Sequence, residues 1–237
     1  MNNFFGHDYT SFPFIPFSIS HWLMMIVLVV ASLIIYYHRV FFKKHDQLVR
    51  IVFFTSLFIL EGMYHYWLFK DGFWNISFTL PLQLCSISLI LCLILLTLRT
   101  KVIFEIVYFI GITGATMAIV TPELFVGFPH FRYFQFFITH ILIVLTCLYF
   151  VFVHNYYPTM KGLLRSFLFL NICAVMGFFT NEILNGNYMF LAYKPTNGSL
   201  LDYFGPYPYY IFTLEIVAFV LFSLLLSPFL YKKKWEK

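Results

Sequence analysis

Charge is what this sequence has least of. Only 11% of its 237 residues are charged, 10 acidic and 15 basic, against about 25% in an average soluble domain. So few charges cannot cover a water-facing surface of this size, which excludes a soluble enzyme and a disordered tail. Only four cysteines in 237 residues exclude a disulfide-stapled secreted domain. The motifs of soluble chemistry are also missing. There is no Gly-rich phosphate loop, no His-Glu-x-x-His pattern, no Cys-x-x-Cys pair and no Gly-x-Ser-x-Gly elbow, so no metal and no cofactor are expected. The net charge of +5 is not a nucleic-acid footprint, because Lys and Arg sit in short clusters between apolar runs rather than on one continuous face.

What is present is apolar length: 61% of the chain is hydrophobic and 23% aromatic. Crossing ~30 Å of hydrocarbon takes about 20 helical residues, and seven stretches qualify: 19–42, 51–69, 79–98, 102–120, 133–153, 166–184 and 210–230. The sequence therefore predicts an all-α polytopic membrane protein, residues 1–237 forming one transmembrane domain of seven helices. Arg39, Lys43, Lys44, Arg50, Arg99, Lys101, Lys161, Arg165, Lys232, Lys233, Lys234 and Lys237 fall on one side; Lys70, Arg132 and Lys194 fall on the other. Positive charge is retained inside, so the N-terminus is expected outside and the C-terminus inside, in a bacterial cytoplasmic membrane. The first eighteen residues have no Lys or Arg and carry Asp8, Pro13 and Pro16, unlike a cleavable signal peptide. Gly111 and Gly114 offer small residues for close helix packing. Trp67, Trp74, Tyr133, Tyr207, Tyr209 and Tyr210 suit an interfacial aromatic belt.

In a membrane protein the informative quantity is the depth of each polar side chain, since an ionisable group in hydrocarbon costs several kcal/mol unless paired or solvated. On the predicted topology Gln83 and Cys85 lie about 6 to 9 Å below the outer surface and His140 about 10 Å below it. His65 and Glu61, four residues apart and on one helix face, lie about 6 and 12 Å deep. Asn181 and Glu182 end the sixth span, Glu215 opens the seventh, and His21 opens the first, all at that level. The polar band is one-sided. Each member also has a plainer reading: free cysteine packs as a small hydrophobe, an intramembrane His can simply bond across helices, and Glu61 with His65 can orient a helix. Glu182 and Glu215 are within reach of interfacial water.

Leu80-Pro81-Leu82-Gln83-Leu84-Cys85, the His140 of the fifth span, and the run from Asn187 to Pro195 leading to Ser199-Leu200-Leu201-Asp202-Tyr203-Phe204-Gly205-Pro206 together resemble the YwaF family of bacterial integral membrane proteins. The resemblance covers spans two to seven. That family is similar to a eukaryotic transmembrane acyltransferase acting on ether phospholipids, and more distantly to membrane hydrolases of fatty-acid esters of hydroxy fatty acids. It implies Cys85 as an acyl-accepting nucleophile and His140 as its base. The family pattern often has His two residues before the cysteine, where this chain has Gln83.

Depth and resemblance meet on the same pair. A thiol needs a nearby base or positive field to become a thiolate, and a lipid ester sits just beneath the headgroups, at the depth of this band. The expected function is an outward-facing lipid pocket in which Cys85 attacks an acyl ester, His140 moves the proton, Gln83 or Asn181 polarises the oxyanion, and Glu61, His65, Glu182 and Glu215 bind or orient. Membrane lipids are the expected partners. The competing class is a transporter or small-molecule binder using the same groups along a permeation path; such sites usually lie near the midplane, on broken helices. A third is a haem protein with His65, His140 or His21 as axial ligands. The 185–209 segment is expected either to form a short helix over the site or to remain an aromatic-anchored surface loop.

Overall fold

The computed structural model describes residues 4–6, 10–196 and 199–235, the side chains from 231 onward excepted. Asp8, Lys237 and the side chains of Lys232, Lys233 and Lys234 therefore lie outside the described residues. Eight α-helices follow in order: α1 (Ile19–Tyr37), α2 (Arg39–Lys44), α3 (Asp46–Lys70), α4 (Leu84–Leu98), α5 (Lys101–Val120), α6 (Phe131–Phe152), α7 (Met160–Leu184) and α8 (Tyr209–Trp235). Among the described residues there is no strand, only an isolated bridge between Pro13 and Val126. Six of the helices, α1, α3, α5, α6, α7 and α8, are long and apolar enough to cross a membrane; α4 is apolar but has 15 residues.

Caps set several of the boundaries. The Ser18 hydroxyl accepts from the His21 N–H at the start of α1, Thr159 accepts from Gly162 N–H at α7, and the His130 ring Nδ1 accepts from Arg132 N–H at α6, each occupying a donor that has no partner within the helix. Arg99 and Asn185 end α4 and α7 in the left-handed conformation, as C-terminal caps commonly do. Two expected spans differ. The stretch 19–42 breaks at His38 into α1 and α2. The stretch 79–98 becomes helical only at Leu84, because Thr79 to Gln83 is folded into turns: Thr79 N–H bonds Asn75 O at 2.8 Å, Leu82 N–H bonds Leu80 O at 2.7 Å, and Leu80 N–H goes to the Tyr188 hydroxyl at 3.0 Å.

The core lies between α5 and α6, whose Phe104, Val107, Phe109, Ile110, Phe137, Ile143, Tyr149 and Phe150 are fully buried. Gly111 permits this approach: a Cβ there would meet Ile143 Cγ2 of α6 at 3.2 Å, and one at Gly114 would meet Leu84 of α4 at 3.5 Å. Around that pair, α1, α3 and α8 expose rows of Ile, Leu, Val and Phe, surface that fits hydrocarbon rather than water.

The polar contacts separate into two ends. At one end, Phe131 N–H bonds Phe4 O at 2.8 Å, Gly127 N–H bonds Phe12 O at 2.6 Å, Trp67 Nε1 donates to Phe5 O at 2.7 Å, and Ser77 Oγ donates to Leu184 O at 2.8 Å. These bonds gather the N-terminal segment, the α3–α4 and α5–α6 connections and the end of α7. At the other end Asp46 accepts from Tyr149 at 2.7 Å, His154 at 2.6 Å and Arg50 at 3.1 Å. There too, buried Glu105 accepts from Thr159 at 2.6 Å and Arg165 at 3.0 Å.

Candidate functional site

The first end carries the polar residues singled out above, and α3, α4 and α6 bring some of them together. Because α4 begins at Leu84, Cys85 lies in its first turn, nearer the helix N-terminus than a start at residue 79 would put it. Among the described residues the N–H groups of Leu84, Cys85 and Ser86 meet no acceptor, and the first bond of the helix runs from Ile87 N–H to Gln83 O at 3.0 Å. Free N–H groups and the helix dipole together make that turn attractive to negative charge. Gln83, although at the N-cap position, does not cap α4. Its Oε1 accepts from Met189 N–H at 2.9 Å instead, which leaves its Nε2 donor open.

His140 is buried on α6. Its Nδ1 lies 2.7 Å from Phe136 O, and a carbonyl only accepts, so Nδ1 carries the proton and Nε2 keeps its lone pair. Nε2 has no partner among the described residues, yet it is not among the polar atoms fully sealed from solvent. Cys85 and His140 share no hydrogen bond. Arg132, Phe136 and His140 follow at intervals of four along α6, hence on one face. The guanidinium lies 4.4 Å from the centre of the Tyr64 ring and 5.4 Å from that of Phe136, and donates to Gln135 Oε1.

Glu61 stands one turn before His65 on α3. Its Oε1 faces His65 Nε2 at 3.6 Å, while His65 Nδ1 accepts from Trp74 Nε1 at 3.3 Å, so the His65 proton points toward Glu61.

The other residues belong elsewhere. Asn181 spends its amide on Tyr188, donating to its carbonyl at 3.1 Å and accepting from its N–H at 2.7 Å. Glu182 is exposed and makes no bond among the described residues. Glu215 joins α8 to α7 through Asn171 at 3.0 Å. His21 uses both ring nitrogens, one toward Ile119 O at 2.7 Å and one toward Phe17 N–H at 2.9 Å. The segment after α7 forms two short 3-10 turns, Tyr188–Phe190 and Leu200–Phe204, the second closed by a Ser199–Asp202 capping box. The first reaches the site: the Tyr188 hydroxyl bonds Ile76 O and Leu80 N–H, and Met189 holds Gln83.

Sequence reasoning missed Arg132 as a member of the cluster, counting it only for topology, although its spacing of eight from His140 was a usable signal. Tyr64 and Tyr188 carried no such signal, since each enters through tertiary packing. A cavity of about 250 Å³ at the same end, lined by Phe14, Pro16, Phe17, Val120, Thr121, Pro122 and Leu124, lies apart from Cys85 and His140.

Among protein families, the model of the TMEM164 family matches residues 16–226, nearly the whole chain. No curated protein and no solved structure matches.

Proposed function

We propose that this chain, a multi-pass membrane protein that belongs to the TMEM164 family, transfers or hydrolyses lipid acyl chains at the Cys85–His140 site. The carrying observation is that His140 Nδ1 is committed to Phe136 O, so Nε2 keeps its lone pair with no partner among the described residues, on the helix packed beside the first turn of α4 where Cys85 stands among free N–H groups. In this reading α4 serves as a seventh crossing, its 15 residues completed by the turns from Thr79 to Gln83. The N-terminus is outside and the C-terminus inside a bacterial cytoplasmic membrane, and the chain is one domain of the YwaF type. The segregation of Arg39, Lys43, Lys44, Arg50, Arg99, Lys101, Lys161 and Arg165 toward the Asp46 end supports that orientation.

The chemistry is as follows. Cys85 Sγ attacks the carbonyl carbon of a lipid ester and its proton passes to His140 Nε2. Gln83 Nε2 and the free N–H groups at the start of α4 hold the oxyanion. Collapse breaks the ester C–O bond, the leaving alkoxide takes the proton from His140, and a thioester remains on Cys85. A second hydroxyl, from an acceptor lipid or from water, attacks the thioester; His140 takes its proton and returns it to the leaving sulfur. The proton of Cys85 therefore leaves in concert with attack, toward His140 Nε2, and Glu61 with His65 orients α3 beside it.

The test incubates purified protein with phospholipid and lysophospholipid, and looks by mass spectrometry for an acyl adduct on Cys85. Wild type accumulates it, Cys85→Ala does not, and His140→Ala forms it far more slowly. Equal turnover and labelling in all three would refute acyl-enzyme chemistry.

A further inference from the structure

The geometry points to Arg132 as the binding group for the phosphate of a lipid headgroup, one that distinguishes a phospholipid from a neutral glyceride with the same chains. The inference deepens the lipid-acyl reading and rests on it. Three observations carry it. First, the guanidinium has five N–H donors, and among the described residues Gln135 is its only hydrogen-bond partner. Among the described residues no carboxylate lies within ion-pair distance of it, whereas Arg50 and Arg165 at the opposite end each have one. Second, the Tyr64 and Phe136 rings lie 4.4 Å and 5.4 Å from it, holding the cation by cation–π contact while N–H donors stay available. A planar fork with open donors suits two oxygens of one phosphate, which a point charge would not select by geometry.

Third, position matches chemistry. Arg132 stands in the first turn of α6, two turns before His140, so it lies about 12 Å nearer that end along the helix. A phospholipid presents its phosphate outermost and its ester carbonyls deeper. A lipid whose phosphate meets Arg132 therefore hangs its esters toward His140 and the first turn of α4.

The full chain in detergent micelles is titrated with a lysophospholipid and with a monoacylglycerol of the same acyl chain, and the ratio of the two dissociation constants is read. Wild type prefers the lysophospholipid by at least about tenfold, the range of a charge-assisted bond. Arg132→Gln abolishes the preference while leaving monoacylglycerol binding unchanged, and Arg132→Lys retains part of it. Cys85→Ala keeps the full preference, so a protein without acyl chemistry can still pass this test and a protein with it can still fail. Glycerol 3-phosphate, the soluble source of the same group, does not compete at lysophospholipid concentrations that saturate. A ratio unchanged in Arg132→Gln, or effective competition by glycerol 3-phosphate, overturns the assignment.

Discussion

Asn181 holds both backbone groups of Tyr188, its Nδ2 donating to the carbonyl at 3.1 Å and its Oδ1 accepting the N–H at 2.7 Å. Tyr188 is fully buried, and its hydroxyl bonds Ile76 O and Leu80 N–H on the chain leading into α4. One amide at the end of α7 thus fixes the turn that fixes the approach to Cys85. Asn181→Leu strands the buried Tyr188 N–H and leaves its carbonyl with only the Leu191 N–H at 3.3 Å, and is expected to cost about 1 to 3 kcal/mol. Asn181→Asp, which keeps the acceptor, should cost less. Denaturant unfolding in micelles measures both; a loss below about 0.5 kcal/mol for the Leu variant would show that the clamp does not stabilise the fold.

Gly162 has no room for a side chain. A Cβ there would stand 2.4 Å from Glu105 Cδ and 2.6 Å from its Oε1, displacing a buried carboxylate from Thr159 and Arg165. Gly162→Ala is therefore expected to destabilise by at least about 2 kcal/mol, the scale of a disrupted buried charge network. In a Glu105→Ala background the clash disappears, so the double variant should lose less than the sum of the singles. Simple additivity in thermal unfolding would place the strain elsewhere.

Burial pushes the His154 imidazole below the usual histidine range, and the Asp46 carboxylate at 2.6 Å pulls it back only in part. The unfolded chain then takes up a proton near pH 6.5, while the folded chain resists it. The contribution of this residue to stability is full above that pH and declines as pH falls toward the lowered folded value. Unfolding midpoints measured from pH 7.5 down to 5.5 should drop, and His154→Gln should flatten that slope. An unchanged slope would assign the pH dependence to another group.

Much of this architecture was legible because membrane crossing depends on length and apolarity, which need no tertiary information. α3, α5, α6, α7 and α8 begin or end within a few residues of the expected spans. The start of α4 was only partly legible: Pro81 disfavours helix at Leu80, but the bond from Leu80 N–H to the Tyr188 hydroxyl, more than 100 residues away, carries no local sign. The same cause hides the role of Asn181, whose amide is occupied by Tyr188 and is not available to an oxyanion. Glu182 and Glu215 show the reverse limit. Depth alone grouped them with Glu61, but one faces outward and the other meets Asn171 on a different pair of helices.

Gln83 is the position where structure and chemistry can be separated by a single atom. Its Oε1 holds Met189 N–H at 2.9 Å, and its Nε2 is the open donor beside the first turn of α4. Gln83→Glu keeps an oxygen for Met189 and removes the donor, whereas Gln83→Leu removes both. If Nε2 stabilises the oxyanion, Gln83→Glu should lower kcat for acyl transfer by about 10²- to 10³-fold with little change in KM, the usual effect of losing one such donor. Its unfolding midpoint should stay near wild type, while Gln83→Leu loses both activity and stability. A Glu variant with wild-type kcat would leave Gln83 as a strut for the Tyr188 turn and transfer the oxyanion role wholly to the N–H groups of Leu84, Cys85 and Ser86.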